Sequence, residues 1–595
     1  MRQLFLLSAL TVLLAGCGGD ESRSGQVTNW LSGEIRETVH QEGDDLVTAG
    51  LGLEGLMANA PEPADPLAPS ADELRRLAIH ASWRGLAALN PAGGVGGLIE
   101  RLPSQGGREF MAFLTLPERT HPARVLLQLP DNFDTDAPCL VVAPASGSRG
   151  VYGAVPMVAP WALPRGCAVV YTDKGAGTDF FLFADNTGVG LDGRRVSGET
   201  AELGLNPVRL ENADDTIAMA HAHSGDHPEA DWGDHVLAAA QFGLQLLDRE
   251  LAVEITAANT IVIAAGLSNG GGAVLRAAER DEQGLLDGVV AMMPNVSAPG
   301  IPHLYELGTL AALYQPCLLG DLDYTMSLVL GNPLLAAGGR QRCAALVAAG
   351  QLDEAEPARA RERLEAAGFD EAALGLAPVN VALDLWRAVA VTYASAYLGR
   401  GPLNMPCGYA FSVESASQEE RQAWWATHSG IAPGGGIELV DGMADGRDPA
   451  LPGLLCLHEL LTDQGEDGQQ LRAAIEATRA TARPSDVPIL VVHGRDDGLI
   501  PPALTSRPWV TQARTHGANV AYWEVANAQH FDALLAAPGV GERLVPMLPY
   551  GWHGLDHIQA VLEGQRELGQ DRDIATTPAP AGQPLQPENL GLPSR

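Results

Sequence analysis

The chain has 595 residues and carries 73 acidic against 38 basic side chains, a formal net charge of −35. That charge repels nucleic acid and anionic lipid, so neither is an expected partner. With 46% hydrophobic and 19% charged residues, 68 Gly and 41 Pro, the composition excludes a disordered or fibrous chain and gives ample apolar surface for a core.

In chain order, the first feature is an export signal. Arg2 precedes an apolar stretch from Leu4 to Ala15 that is too short to span a bilayer. Leu14-Ala15-Gly16-Cys17 resembles a bacterial lipobox, which implies cleavage before Cys17 and acylation of that cysteine. The only expected membrane contact is therefore a lipid anchor, at the outer membrane or periplasmic face, with free secretion as the alternative. Residues 18–70 are polar and Pro-containing, and "ANAPEPADPLAPSADE" reads as a linker.

Apolar β-type runs then alternate with Ala/Leu-rich helical stretches. The strand candidates are "ARVLLQLP", "CLVVAPAS", "CAVVYTD", "TIVIAAGL", "GLLDGVVAMMP", "VPILVVHG" and "NVAYWEV". Strands alternating with helices predict an α/β fold, a mainly parallel sheet covered by helices on both faces. Residues 71–300 form the first part of this core and 483–570 the second. Between them, 301–482 is a helix-rich insertion placed to cap the sheet as a lid, with Trp386, Trp424 and Trp425 as apolar wall candidates. Residues 571–595 form a Pro-rich tail, expected to be loose.

"IVIAAGLSNGGGAVLRAAE", Ile261 to Glu279, contains a complete G-x-S-x-G between a strand-like and a helix-like run. This is the signature of a nucleophile elbow, where a serine sits on a strained turn and the next helix directs its positive end at developing charge. A phosphate-binding loop would need a G-K-[ST] ending, which is missing. Ser268 requires a base and an orienting acid downstream. "PILVVHGRDDGLIPP" supplies Asp497, with adjacent Asp496 as the alternative, and "ANAQHFDAL" supplies His530. The order Ser, Asp, His is that of α/β-hydrolases. The backbone N–H of Asn269 is one oxyanion donor. The small-residue loop "VVAPASGSRGVYGAV" offers the second from Ser146, or from Gly147.

Six cysteines remain besides Cys17, enough for three disulfides with 15 possible pairings. His221, His223, His227, Asp231 and His235 cluster in "HAHSGDHPEADWGDH", a loop entering a helix. They are expected to pack and hydrogen-bond rather than hold a metal.

Three segments carry a more specific likeness: "ASGSRGVYGAVPMVAPWALPRGCAVVYTDKGAGTDFF", "HAHSGDHPEADWGDHVLAAAQFGL" and "GLSNGGGAVLRAAE". Together they resemble the D-(−)-3-hydroxybutyrate oligomer hydrolase family of bacterial esterases. The resemblance implies an α/β-hydrolase fold, Ser268 as nucleophile, no cofactor, and hydrolysis of short 3-hydroxybutyrate oligoesters downstream of polyhydroxybutyrate depolymerases. Such a substrate ends in a carboxylate, for which Arg149 and Lys174 are the candidate partners. Two rival readings are a tannase or feruloyl-esterase-like enzyme and a non-catalytic polymer-binding lipoprotein.

Overall fold

The computed structural model describes residues 30–592, except 100, 200–201, 323–333, 428, 432–434 and 537–539. The lipobox call at Cys17 lies outside the described residues. Ten strands form the main sheet: β1 (Leu31–His40), β2 (Gly107–Leu114), β3 (Ala123–Pro130), β4 (Cys139–Pro144), β5 (Ala168–Thr172), β6 (Ile261–Leu267), β7 (Gly288–Met292), β8 (Ile489–Gly494), β9 (Val520–Val525) and β10 (Arg572–Ile574). Their spatial order is β1-β2-β3-β5-β4-β6-β7-β8-β9-β10. The first four neighbours pair antiparallel, and from β5 onward every pairing is parallel.

The apolar runs follow from burial on both faces. In β4, Leu140 and Val142 enter one core cluster while Val141 and Ala143 enter the other. Along β6, Val262 and Ala264 alternate in the same way with Ile263 and Ala265. A strand covered on both sides must be apolar at both parities, which removes the polar alternation of a half-exposed strand. One face is covered by α1 (Ala71–Leu86) and the helices Val155–Ala162 and Leu548–Leu562. The other is covered by α2 (Pro228–Glu250), α3 (Asn269–Arg280) and Ser506–Thr515.

Two expectations need correction. The segment read as linker is folded from Leu31: β1 extends the sheet by pairing with β2, and only residues further on run without regular structure into α1. The tail read as loose returns to the opposite edge, where Arg572–Ile574 pairs with β9 and Tyr550 Oη donates to the Leu590 carbonyl at 2.8 Å. Charged side chains and proline masked both segments, because an edge strand needs only one buried face.

The stretch between β7 and β8 contains the helices Leu304–Leu318, Leu335–Ala348, Pro357–Ala366, α4 (Leu385–Tyr397), Gln418–Thr427, Leu451–Glu459 and Glu466–Ala477, with a two-stranded ribbon of Tyr409–Ser412 and Glu438–Asp441. Disulfides Cys317–Cys343 and Cys407–Cys456 lie inside this insertion, and Cys139–Cys167 ties β4 to β5. The insertion is anchored below by Thr216 Oγ1 donating to the Phe411 carbonyl at 3.0 Å and Thr178 Oγ1 to the Trp425 carbonyl at 2.9 Å.

Candidate active site

Parallel strands deliver their C-terminal ends to one edge, and the loops leaving β4, β6, β8 and β9 meet there. Ser268 follows β6 directly, with φ 61° and ψ −122°, a conformation that L-residues adopt only under strain. The turn is held by the Ser268 N–H donating to the Met292 carbonyl at 2.9 Å, and by Gly272 and Asn295 N–H groups donating to the Ser268 carbonyl at 3.0 Å. Gly270 is obligatory here, since a Cβ would stand 2.6 Å from the Pro144 carbonyl oxygen.

Ser268 Oγ is 2.9 Å from His530 Nε2, and His530 Nδ1 is 2.7 Å from Asp497 Oδ2. The first pair is 262 residues apart in the chain, so only the sheet brings them together. Asp497 is fully buried, and its Oδ1 accepts the N–H groups of Leu499 at 2.9 Å and Ile500 at 2.7 Å. Burial alone would raise its carboxyl, but the charge of His530 and hydrogen bonds from His493 and His530 outweigh it and hold the pKa well below the usual range. Asp496 is half-buried and hydrogen-bonds the Asn527 and Ala528 backbone, and among the described residues the carboxylate on His530 is that of Asp497. His493 supports Asp497 from behind, with Nε2 at 3.2 Å from Oδ2 and Nδ1 at 2.7 Å from Ser506 Oγ.

Above the serine lies a cavity of about 310 Å³ lined by Ser146, Ser268, Asn269, Trp386, Tyr393 and His530 among others, with Leu86, Met293, Leu304, Val389 and Ile431 as apolar wall. Ser146 and Asn269 both border it, and among the described residues no acceptor takes either backbone N–H. Asn269 stands at the start of α3, where such N–H groups are expected to be free. Its side chain is clamped, donating to Tyr393 Oη at 3.2 Å and accepting from Asn295 Nδ2 at 2.9 Å. Tyr393 comes from α4, so the insertion contributes directly to the site.

Lys174 is not a cavity residue, which corrects its assignment as a substrate partner. It is fully buried with φ 61°, and Nζ donates to the Ala145 carbonyl at 2.6 Å and the Gly147 carbonyl at 2.9 Å. It thereby straddles Ser146 and fixes the loop from below. Desolvation lowers its ammonium to about 8, opposed by Asp173 and Glu229. The same loop is tied by Ser148 Oγ to His221 Nδ1 at 2.5 Å, and His221 Nε2 continues to Glu229. The histidine-rich loop thus supports the site structurally. From above, Gly430 N–H donates to the Ser148 carbonyl at 2.7 Å.

Arg149 does border the cavity, half-buried, with Nη2 donating to the Gly85 carbonyl at 3.2 Å. Its guanidinium lies across Gly85 at the end of α1, where a Cβ would overlap it. Desolvation lowers its pKa, and among the described residues it forms no ion pair. Sequence reasoning missed Tyr393, Gly85 and Asp532. Asp532 borders the cavity beside His530, and burial raises its carboxyl to about 7 even though it accepts the Met547 and Leu548 N–H groups. Nothing in the local sequence distinguishes "HFDAL" from an exposed turn.

A serine on a strained elbow, with a sheet of this order, gives the molecule an α/β-hydrolase fold, and its relatives make it a carboxylic ester hydrolase. A family model described as 3HB-oligomer hydrolase matches residues 13–591. A D-(−)-3-hydroxybutyrate oligomer hydrolase from Cupriavidus metallidurans is 32% identical, over 99% of this chain and 94% of its own. One from Paracidovorax citrulli is 33% identical, over 96% and 93% respectively. The chain belongs to the 3HB-oligomer hydrolase family. The rice cell wall degrading esterase LipA from Xanthomonas oryzae, in a ligand-bound form, superposes at TM-score 0.40 with 12% identity, covering 79% of this chain and 94% of that one.

Proposed function

We propose that the protein hydrolyses short 3-hydroxybutyrate oligoesters to monomers through an acyl-enzyme on Ser268. The observation that carries this reading is the continuous hydrogen-bonded path from Ser268 through His530 to Asp497, opening on a mainly apolar cavity. His530 Nε2 takes the Ser268 proton as Oγ attacks the ester carbonyl, and the N–H groups of Asn269 and Ser146 receive the oxyanion. His530 then protonates the leaving alkoxide, releasing a hydroxy acid. Water, deprotonated by His530, attacks the acyl-serine and frees the second acid, while Asp497 holds the imidazole tautomer throughout. No cofactor enters these steps.

The apolar walls suit the methyl branches of hydroxybutyrate, and Arg149 is placed to receive a terminal carboxylate. Family membership supports a role in polyhydroxybutyrate degradation. The Leu14-Ala15-Gly16-Cys17 motif supports export with a lipid anchor on Cys17. The test is to incubate the protein and its Ser268→Ala variant with (R)-3-hydroxybutyrate dimer and trimer, beside a feruloyl ester, and measure acid release by chromatography. Monomer from the unmodified protein, reduced on the order of 10⁵-fold or more in the variant, is the expected result. Turnover of the feruloyl ester alone would overturn the substrate assignment.

A further inference from the structure

The cavity above Ser268 adjoins a second one of about 380 Å³, and the two share Gly85, Arg149 and Ser429 as common wall. This second chamber is bordered by α1 through Ala78, Ala81 and Arg84, and by Tyr152 and Trp425 from the core and the insertion. Its walls therefore combine methyl groups and aromatic faces with two guanidinium groups, and among the described residues they include no carboxylate. In a chain of net charge −35, this concavity shows no acidic side chain among the described residues. Arg84 is exposed, Arg149 half-buried, and among the described residues neither forms an ion pair. A half-buried guanidinium without an anionic partner keeps an unmet need for one, and a second, more exposed cation on the same wall raises the local potential for anions.

We propose that this chamber holds the carboxylate end of 3-hydroxybutyrate oligomers longer than the dimer, with Arg84 as its outer anchor. This inference rests on the oligoester assignment above. The carboxylate of a dimer reaches Arg149. Each added unit carries it outward past Arg149, its methyl branch against Ala81 or Trp425, toward Arg84. The scissile ester then stays at Ser268 while the added units lie on the leaving-group side in the second chamber, so cleavage is counted from the hydroxyl end.

The experiment compares kcat/KM for the (R)-3-hydroxybutyrate tetramer as free acid and as methyl ester, in the full chain and in Arg84→Gln and Arg84→Glu. The free-acid to methyl-ester ratio is expected to fall roughly five-fold in Arg84→Gln and further in Arg84→Glu, mainly through KM, and the gap to the unmodified protein is expected to narrow as salt is added. Ala81→Phe, which fills the chamber without touching charge, is expected to lower the tetramer-to-dimer ratio. Unchanged ratios in all three variants would overturn the proposal while leaving the oligoester assignment intact. If the unmodified protein cleaves p-nitrophenyl butyrate but no oligomer, the substrate assignment itself fails and the chamber's role with it.

Discussion

Asp497→Asn separates an orienting carboxylate from a structural one, and the surrounding hydrogen bonds dictate how. Asp497 Oδ1 accepts two backbone N–H groups, from Leu499 and Ile500. An asparagine here must keep its carbonyl oxygen on that side, because turning its amide there would set donors against donors and leave buried N–H groups unpaired. The NH₂ then faces His530 Nδ1, where Oδ2 stood at 2.7 Å. The imidazole can meet that donor only by carrying its proton on Nε2, the atom that has to accept from Ser268. Triads disarmed in this way lose about 10⁴-fold in kcat, or about 5 kcal/mol of transition-state stabilisation. Initial rates on the hydroxybutyrate dimer, with circular dichroism to verify folding, measure it. Asp496→Asn serves as the comparison and is expected to stay within about two-fold, as a half-exposed group outside the hydrogen-bonded chain should. A loss under ten-fold in folded Asp497→Asn, or an equal loss in Asp496→Asn, would refute the orienting role.

Further predictions concern the supporting residues. Lys174→Met releases the Ala145 and Gly147 carbonyls on either side of Ser146, and kcat should fall about 10²-fold with little change in KM; a KM effect alone would return Lys174 to substrate binding. Arg149→Ala should raise KM for free-acid dimer about ten-fold more than for its methyl ester, and an equal effect on both would remove Arg149 from carboxylate recognition. Asp532 has its folded pKa raised to about 7 by burial, so the native state holds a proton that the unfolded chain has released above pH of about 4. Its contribution to stability therefore declines as pH rises from about 4 to about 7. Denaturant unfolding of the protein against Asp532→Asn should show the difference shifting in favour of Asn across that window, and no shift would mean that the carboxylate is ionised in the fold.

The central strands were legible because burial on both faces imposes runs such as Leu140-Val141-Val142 that no loop tolerates, and the elbow because Gly266 and Gly270 bracket Ser268. The order of Ser268, Asp497 and His530 could be read because each follows the end of a recognisable strand. What escaped notice depends on distant partners. Lys174 looks like a surface cation in "TDKGAG", and only the carbonyls of Ala145 and Gly147, contributed by a neighbouring loop, explain its burial. Tyr393 sits on a helix whose apolar periodicity is equally that of plain core, and its approach to Asn269 is fixed by how the insertion docks. β1 hides behind Glu34, Arg36 and Glu37 because it is half-exposed and broken by a bulge between Ser32 and Arg36.

An open sheet has two free rims, and here each is closed by an opposite end of the chain. β1 presents exposed Glu34 and Glu37 along its outer side, while β10 is three residues long and shows Arg572 and Asp573 to solvent. A charged strand broken by a bulge at one rim and a very short charged strand at the other are poor templates for another molecule's backbone, so both discourage fibril-like stacking between copies. Directly beneath β10 lies β9, Val-Ala-Tyr-Trp-Glu-Val, buried throughout. A shortened chain ending before Arg572 would expose that run as a flat, adhesive border. The proline-rich tail, which looks dispensable, thus guards colloidal solubility as well as completing the fold.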